Sequence, residues 1–398
     1  MSVIIVTYET PPALLGSCLG SVLESDYRPI ELVVVDNSRS SVVAEVVASW
    51  KATAVANGLS VVFLPQTRNV GYAAATNRGV AASSGELELL LNPDAVLEPD
   101  ALSTLADAAA RRPRAIGFAP KVSLTSHEWI LDSVGIDLLL RAEGAQRGLG
   151  EPDIGQYDLE ERLAGLCFAA ALVRRSAFSP GSVGSLDERY FMFYEDVDWS
   201  MRAAMRGEEF WSVPSARVRH VHSASTRHMP SGFKGRLIQR NLIWTAAKNL
   251  ERRRVGKVIV RYTVRNLVGG ALSGHPWSAM RVTAETWAGL PRMMGSRRAC
   301  QRRRTLSDRE VLSQRTGARS FDAVKYRPLP SVATLVGVLS RLYVASPNPA
   351  LGVLVFRLTL AVETSTSADP RRMAQLVRES GVAIPPGLEW LLHRLEND

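Results

Sequence analysis

The chain has 398 residues, 46% of them apolar and 22% charged, with a net charge of +9. That composition is the one of an ordinary globular protein with one large domain or two smaller ones. Three cysteines, Cys18, Cys167 and Cys300, are far apart and odd in number, which excludes a disulfide framework and a cysteine metal site.

The charge is unevenly placed. Residues 1–250 carry 24 Lys/Arg against 28 Asp/Glu, a balance of −4, and residues 251–398 carry 24 against 11, a balance of +13. A mildly acidic front and a strongly basic rear imply two regions with different partners, divided near residue 250. The opening Met1-Ser-Val-Ile-Ile-Val-Thr-Tyr8 has no basic n-region and reads as a β-strand, not a signal peptide. With no run of 18 apolar residues, no spanning helix is expected, and the chain is placed in the cytoplasm.

In chain order, residues 3–7, 31–36, 61–64 and 87–92 read as strands, rich in Val, Ile and Leu on both faces. Residues 12–25, 41–56 and 73–83 between them have helical composition, with Pro11 and Pro12 at the first helix start. This alternation predicts an α/β domain built on a parallel sheet. A helix follows over 99–111, a strand over 118–124, Gly-rich loops over 144–155 and a buried segment over 165–173. A helix over 194–206 starts on acidic residues, and short strands fall at 211–213 and 217–221. From residue 239 longer helical stretches take over, at 239–255, 258–272 and 331–343. Arg-rich punctuation separates them at 252–254 and at 292–304, the latter with six Arg and no acid. A loop over 364–370 precedes two last helical pieces, 370–380 and 386–395.

In open α/β sheets, ligands bind beyond the carboxyl ends of the strands. Four segments fall there: Thr7-Tyr8-Glu9, Asp36-Asn37, Asn69 with Gly71, and Asn92-Pro-Asp94. Asp36 suits recognition of a base N–H or a ribose hydroxyl, although Asp at a strand end also starts turns. In Arg68-Asn-Val-Gly-Tyr-Ala-Ala-Ala-Thr-Asn77, small side chains let a nucleotide approach the backbone at a helix start.

The densest signal is Phe191-Met-Phe-Tyr-Glu-Asp-Val-Asp-Trp199, three carboxylates among aromatics, followed by His220-Val-His222. Charge beside aromatic rings is costly unless it is paired, metal-bound or used in chemistry. A strand-end carboxylate, an acidic cluster and a histidine together suit a hard divalent cation and a general base. Asp198 stands apart as a structural partner for Arg202 at i+4. His222 is either a second ligand or a strand residue, and the segment 223–232, with His228, is expected to close over the site.

These pieces, in this order, resemble the inverting glycosyltransferases of family 2. The match rests on V-x-Y-E, V-D-N-S, N-V-G-Y, N-P-D and F-M-F-Y-E-D-V-D, and covers about residues 1–250. The resemblance implies a GT-A fold there, with a basic, mainly helical region over 251–398. It implies transfer of a sugar from a dTDP- or UDP-sugar, dTDP-rhamnose among them, to a hydroxyl of a glycan or lipid-linked acceptor. Asp196 takes the place of the base, with Glu195 beside it. Thr7, Tyr8, Glu9, Asp36, Asn37, Asn69, Gly71, Asn77, Asn92 and Asp94 fall on donor-binding positions. Mg²⁺ or Mn²⁺ is assigned to Asp94 and His220. Asn92 departs from the family's D-x-D pattern by supplying no charge. Within the family the chain looks like bacterial rhamnosyltransferase-like enzymes of cell-wall or O-antigen polysaccharide assembly.

Arg240-Asn-Leu-Ile-Trp-Thr-Ala-Ala-Lys-Asn249 is similar to a helix behind the site in many members. Its basic groups would meet lipid or acceptor phosphate, or the segment is an ordinary amphipathic helix. The basic runs at 252–254 and 292–304 predict attachment to an anionic membrane surface, or an oligomer contact. They lack interleaved aromatics, so nucleic acid is not expected. The competing classes are a nucleotidyltransferase, whose Gly-rich phosphate loop is missing from residues 3–14, and a non-catalytic nucleotide-sugar-binding module.

Overall fold

The structure, a computed structural model, describes residues 1–139, 141–150, 153, 157–221, 232–272 and 274–312, and single residues and short pieces between 339 and 396. Two compact units are formed, Met1–Ser320 and Phe321–Asp398. In the second, the described helix is Pro370–Glu379. His222, His228, the loop at 223–231 and nearly all of the stretches expected at 331–343, 364–369 and 386–395 lie outside the described residues.

A ten-stranded mixed sheet forms the centre of the first unit. Strands β1 (Ser2–Thr7), β2 (Ile30–Asp36), β3 (Leu59–Pro65) and β4 (Leu87–Leu91) are parallel, in the order β4-β1-β2-β3. Every residue of β1 is buried, as the two-faced apolar pattern requires. Helices α1 (Pro12–Glu24), α2 (Val42–Ala56) and α4 (Ala101–Arg111) contribute to one core cluster with the sheet. Helices α3 (Tyr72–Ala82) and α5 (Glu195–Ala204) contribute to another, built on the alternate residues of β1 and β2. The sheet is therefore covered on both faces, the α/β class expected.

Beyond β4 the sheet turns mixed. It continues through β11 (Ala170–Arg174), antiparallel to β4, then β6 (Ala115–Leu124) and β12 (Glu209–His220). The two short strands expected at 211–213 and 217–221 are one strand, interrupted by a register shift between Val213 and Arg217. The bulge includes Pro214, which has no N–H for a ladder. Strand β5 (Ala95–Leu97) pairs with the end of β12 and sets Ala95 opposite His220. Strand β7 (His127–Ser133) pairs with β6.

Register does the positioning. Thr7 pairs with Asp36, and Ile5 with Leu91, so β1 and β2 finish together and β4 two residues short of them, with Asn92 next in the chain. The end of β12 arrives at the same edge through β5.

The rear differs from expectation in its breaks. Helix α6 runs Phe233–Asn249 and α7 runs Arg252–Leu272, so the interruption falls at residues 250–251 instead of 256–257. The Arg-rich run at 292–304 is mostly the end of a 27-residue helix, α8 (Pro276–Arg302). Its buried Ala279, Val282, Thr286, Leu290 and Met293 recur at spacings of three and four, an apolar stripe that its many arginines obscure. Helices α6, α7 and α8 pack around one cluster with Met201 and Val197 of α5, so the rear helices lie behind the acidic segment.

Candidate active site

A cavity of about 310 Å³ opens at the strand ends. Its lining includes Thr7, Tyr8, Asn37, Asn69, Gly71, Asn92, Asp94, Glu195, Asp196 and His220, so ten of the residues singled out in the sequence share one space. Asp36 is buried just behind it. One carboxylate oxygen accepts from Thr7 Oγ1 (2.8 Å) and from the Ser38 N–H (2.9 Å). Asn37 ties the next strand end down, accepting from the Val70 N–H (3.2 Å) and donating to the Gly71 carbonyl (3.4 Å).

Glu9 and Asn77 do not line the cavity. The Glu9 carboxylate accepts from the Arg39 N–H (2.9 Å) and Ser40 Oγ (2.8 Å), bracing the loop after β2. The Asn77 amide exchanges hydrogen bonds with the backbone of Leu186, both 2.9 Å, on the far side of α3. Its side chain is used to hold the segment that leads to Phe191.

At the cavity floor His220 Nε2 stands 3.1 Å from Asp94 Oδ1 and 3.2 Å from Asn92 Nδ2. Its other ring nitrogen, Nδ1, is 2.8 Å from Asp132 Oδ2 at the end of β7. Burial works against charge on this ring, but hydrogen bonds to Asp132 and Asp94 carry its pKa up to about 9. Asp132 is fully buried. Nothing in its spacing pointed to the site; it is one of two acids in β7, beside Glu128, and the sequence does not set it apart.

Asp94 and His220 fit a small divalent cation. Two ligands about 2.1 Å from one ion at a right angle lie about 3 Å apart, close to the separation found. Asp132 on Nδ1 is the carboxylate that usually fixes a ligand histidine's tautomer. Among the described residues no three His, Cys, Asp or Glu side chains form a complete metal cluster. Mg²⁺ needs none, since it commonly takes one or two carboxylates and completes its shell with phosphate oxygens and water.

The opposite wall is a strained turn. Phe191, Phe193 and Tyr194 have φ values of 67°, 64° and 70°. Left-handed backbone at such residues costs on the order of 1–3 kcal/mol each and persists only where the surroundings enforce it. The enforcement comes from α6. Asn241 Nδ2 donates to the carbonyls of Tyr190, Met192 and Phe193 at 3.1, 3.0 and 2.7 Å. Arg240 adds a bond to the Tyr190 carbonyl at 3.0 Å. Across the cavity Gly71, at φ 85°, admits the turn: a Cβ there would lie 2.5 Å from the Phe191 ring.

The turn delivers Glu195 and Asp196 to the first turn of α5. Burial, and then the neighbouring Asp196 charge, push the Glu195 carboxyl well above the usual range. Its Oε2 is buried with no hydrogen-bond partner among the described residues. Asp196 is also raised by burial, to about 6, although it accepts from the Val197 N–H (2.7 Å). Asp198, two residues on, pairs with Arg202 (3.0 Å) as expected, and with Lys248 (2.7 Å) and Asn249 (2.8 Å). Burial opposes its charge, but Lys248 and Arg202 outweigh that and hold its pKa below the usual value.

The basic groups of the 240–249 segment, Arg240 and Lys248, thus face inward. Arg240 reaches Glu285 (2.7 Å), Lys248 reaches Asp187 (2.9 Å) and Asp198, and both cations are buried. They secure the acidic segment and do not present charge to a phosphate at the surface. Half of the arginine run is similarly employed. Arg297 donates to the carbonyls of Ala247 (2.9 Å) and Leu250 (2.5 Å), capping the end of α6. Arg303 bonds the Pro180 carbonyl, and Arg304 pairs with Asp308 (2.6 Å).

Residues 2–180 match the model of the family Glycosyl transferase family 2. An N-acetylglucosaminyl-diphospho-decaprenol L-rhamnosyltransferase of Mycobacterium tuberculosis is 32% identical over 254 residues, covering 58% of this chain and 79% of the relative. An uncharacterized protein of Sinorhizobium fredii, y4gI, is 27% identical over 223 residues, 54% of this chain and 23% of its own length. Among solved structures, GalNAc-T7 with UDP, GalNAc and Mn²⁺ superposes with a TM-score of 0.50 at 16% identity. That superposition covers 62% of this chain and 47% of the other, and speaks for the fold alone. The chain belongs to glycosyl transferase family 2, and it is a glycosyltransferase on a GT-A-type sheet.

Proposed function

We propose that the protein is an inverting glycosyltransferase that moves a sugar, rhamnose first among the candidates, from a dTDP- or UDP-sugar to a hydroxyl of a lipid-linked glycan. The catalytic machinery is assigned to residues 1–250, and the chain to the cytoplasm. One observation carries the reading: the Asp94–His220 pair and Asp196, whose pKa is raised, face the same 310 Å³ cavity. The mycobacterial relative, named for rhamnosyl transfer to a diphospho-decaprenol acceptor, supports that donor and acceptor class.

In this reading the nucleoside lies over Thr7, Tyr8 and Asn37, and the pyrophosphate near Asn92 and Asp94. Asp94 and His220 would hold Mg²⁺ or Mn²⁺, which supplies positive charge to the leaving diphosphate. Asn92 keeps polar contact there without adding charge. Asp196 takes the proton of the acceptor hydroxyl as its oxygen forms the new bond from the face opposite the departing nucleotide. Glu195, whose carboxyl burial and the Asp196 charge raise, shapes the pocket beside the base. Lys234, at the rim beside the Phe193 ring (5.7 Å), is placed to meet an acceptor phosphate.

Nucleotide release should be measured for the purified chain against UDP-, dTDP- and GDP-sugars, with a polyprenyl-diphosphate-linked N-acetylglucosamine acceptor. Acceptor-dependent release from one donor class, with inverted anomeric configuration in the product, is expected. Retention of configuration, or no release from any donor, overturns the reading.

A further inference from the structure

Helices α7 and α8 form an antiparallel hairpin whose inner side is buried and whose outer side is not. They meet through Asn266, which donates to the Ala279 carbonyl and to Thr283 Oγ1, both at 2.8 Å. Val255, Val258 and Tyr262 of α7, with Leu290 and Met293 of α8, turn inward to the core around α6.

The outward faces carry large apolar side chains. Val260, Val264, Val268 and Leu272 recur along one stripe of α7, and Trp277, Met280, Trp287 and Met294 along one stripe of α8. Exposure is highest at the hairpin tip, 85% for Leu272 and 79% for Trp277. Single exposed apolar residues are normal on any surface; a continuous set on two paired helices marks an interaction site.

The charge around the stripe selects the partner. Lys257, Arg261, Arg265 and Arg281 are exposed among these side chains. Helix α7 has no acid, and the single acid of α8, Glu285, is engaged by Arg240 (2.7 Å) and Arg236 (3.7 Å). A face of exposed cations without a free acid is complementary to an anionic surface. A lipid one fits the side chains too: it takes cations at the headgroups, and Trp with aliphatic side chains at the acyl boundary. No described helix is long and apolar enough to cross a membrane, so the contact is with its surface.

We propose that the outer face of the α7–α8 hairpin docks on an anionic phospholipid surface, with the Leu272–Trp277 tip entering the interface. This centres the contact on the hairpin tip instead of on 292–304, where Arg297 and Arg304 bond inside the fold and Arg292, Arg298 and Arg302 stay exposed. The proposal stands on the hairpin itself and does not depend on the donor or acceptor assigned above.

Co-sedimentation of the full chain with phosphatidylglycerol-containing and pure phosphatidylcholine vesicles tests it, with nucleotide binding as the check on folding. Binding should require the anionic lipid and weaken with salt. The exposed double variant Leu272→Ser/Trp277→Ser should lower partitioning at least tenfold with nucleotide affinity unchanged. Lys257→Gln/Arg261→Gln/Arg265→Gln should lower it to a similar degree and remove most of the salt dependence. Equal binding to both vesicle types, no binding, or variants that partition like the wild type overturn the proposal. A chain that self-associates through this face, becomes monomeric in the double variant and ignores vesicles also overturns it, in favour of a second copy.

Discussion

The two sides of the cavity both bury carboxylates, but they treat them differently. On the strand-end side, to which the donor is assigned above, Asp36 is satisfied by Thr7 and Ser38, and Asp94 faces His220. On the α5 side, to which the acceptor is assigned, Glu195 has an oxygen with no described partner, and Asp196 accepts from the backbone beside it. The contrast is sharpest within a single turn of α5. Asp198 has two cations and an amide, and its pKa is lowered; Asp196 has neither, and its pKa is raised. Burial alone does not separate a structural carboxylate from one kept ready for a proton. Partners do.

The largest effect should come from breaking the acceptor side. Asp196→Asn is expected to lower turnover by roughly 10²–10⁴ while nucleotide binding stays close to wild type. Turnover within a few-fold of wild type would remove Asp196 from the role of base. Its neighbour should fail in the opposite manner. Asp198→Asn leaves Arg202 and Lys248 buried with one charge fewer between them, and should cost about 3 kcal/mol of stability. Urea denaturation measures this, and a loss under about 1 kcal/mol would mean the network relaxes around the amide.

A smaller effect tests the donor side. Asp132→Asn keeps the shape of the His220 contact but removes the charge behind the ring, and metal affinity should fall by about 10–100-fold. Mn²⁺ binding can be followed calorimetrically without turnover. Unchanged affinity would make Asp132 a packing residue, and no saturable binding in the wild-type chain would remove the cation from Asp94 and His220.

The donor side was legible in the sequence because strand ends are local. An apolar run closing on Asp36 or on Asn92-Pro-Asp94 already states where the side chain will stand. The acceptor wall was legible only in its acids. Its geometry depends on Asn241, some fifty positions away, holding carbonyls of a turn that no local preference would choose. The arginines were legible only in part, for a related reason. A guanidinium that caps a helix end and one that faces solvent are the same letter, and only the packing of α8 across the end of α6 separates Arg297 from Arg281. Asp132 went unseen because its partner lies across the sheet on β12.

The smallest predicted effect is the most direct measure of the contrast within α5. Burial pushes the Asp196 carboxyl up to about 6 in the folded chain, against about 3.9 for an unperturbed aspartate. The folded state therefore holds this proton more tightly than the unfolded state. Its contribution to stability is whole below about pH 4 and is lost as pH rises through about 6. At neutral pH the ionised side chain works against folding, a cost that Asn does not carry. Asp196→Asn should then be more stable than wild type near pH 7, by on the order of 1–2 kcal/mol, less than the roughly 3 kcal/mol of the whole shift because Glu195 shares the titration. The difference should close by about pH 4, where the wild-type carboxyl is already protonated. Glu195 shares the pair and sets how sharply the gap closes, so the two pH values should be compared in one denaturant series. A variant less stable than wild type near pH 7 would show that Asp196 has a stabilising partner after all, and would place it with Asp198 instead of apart from it.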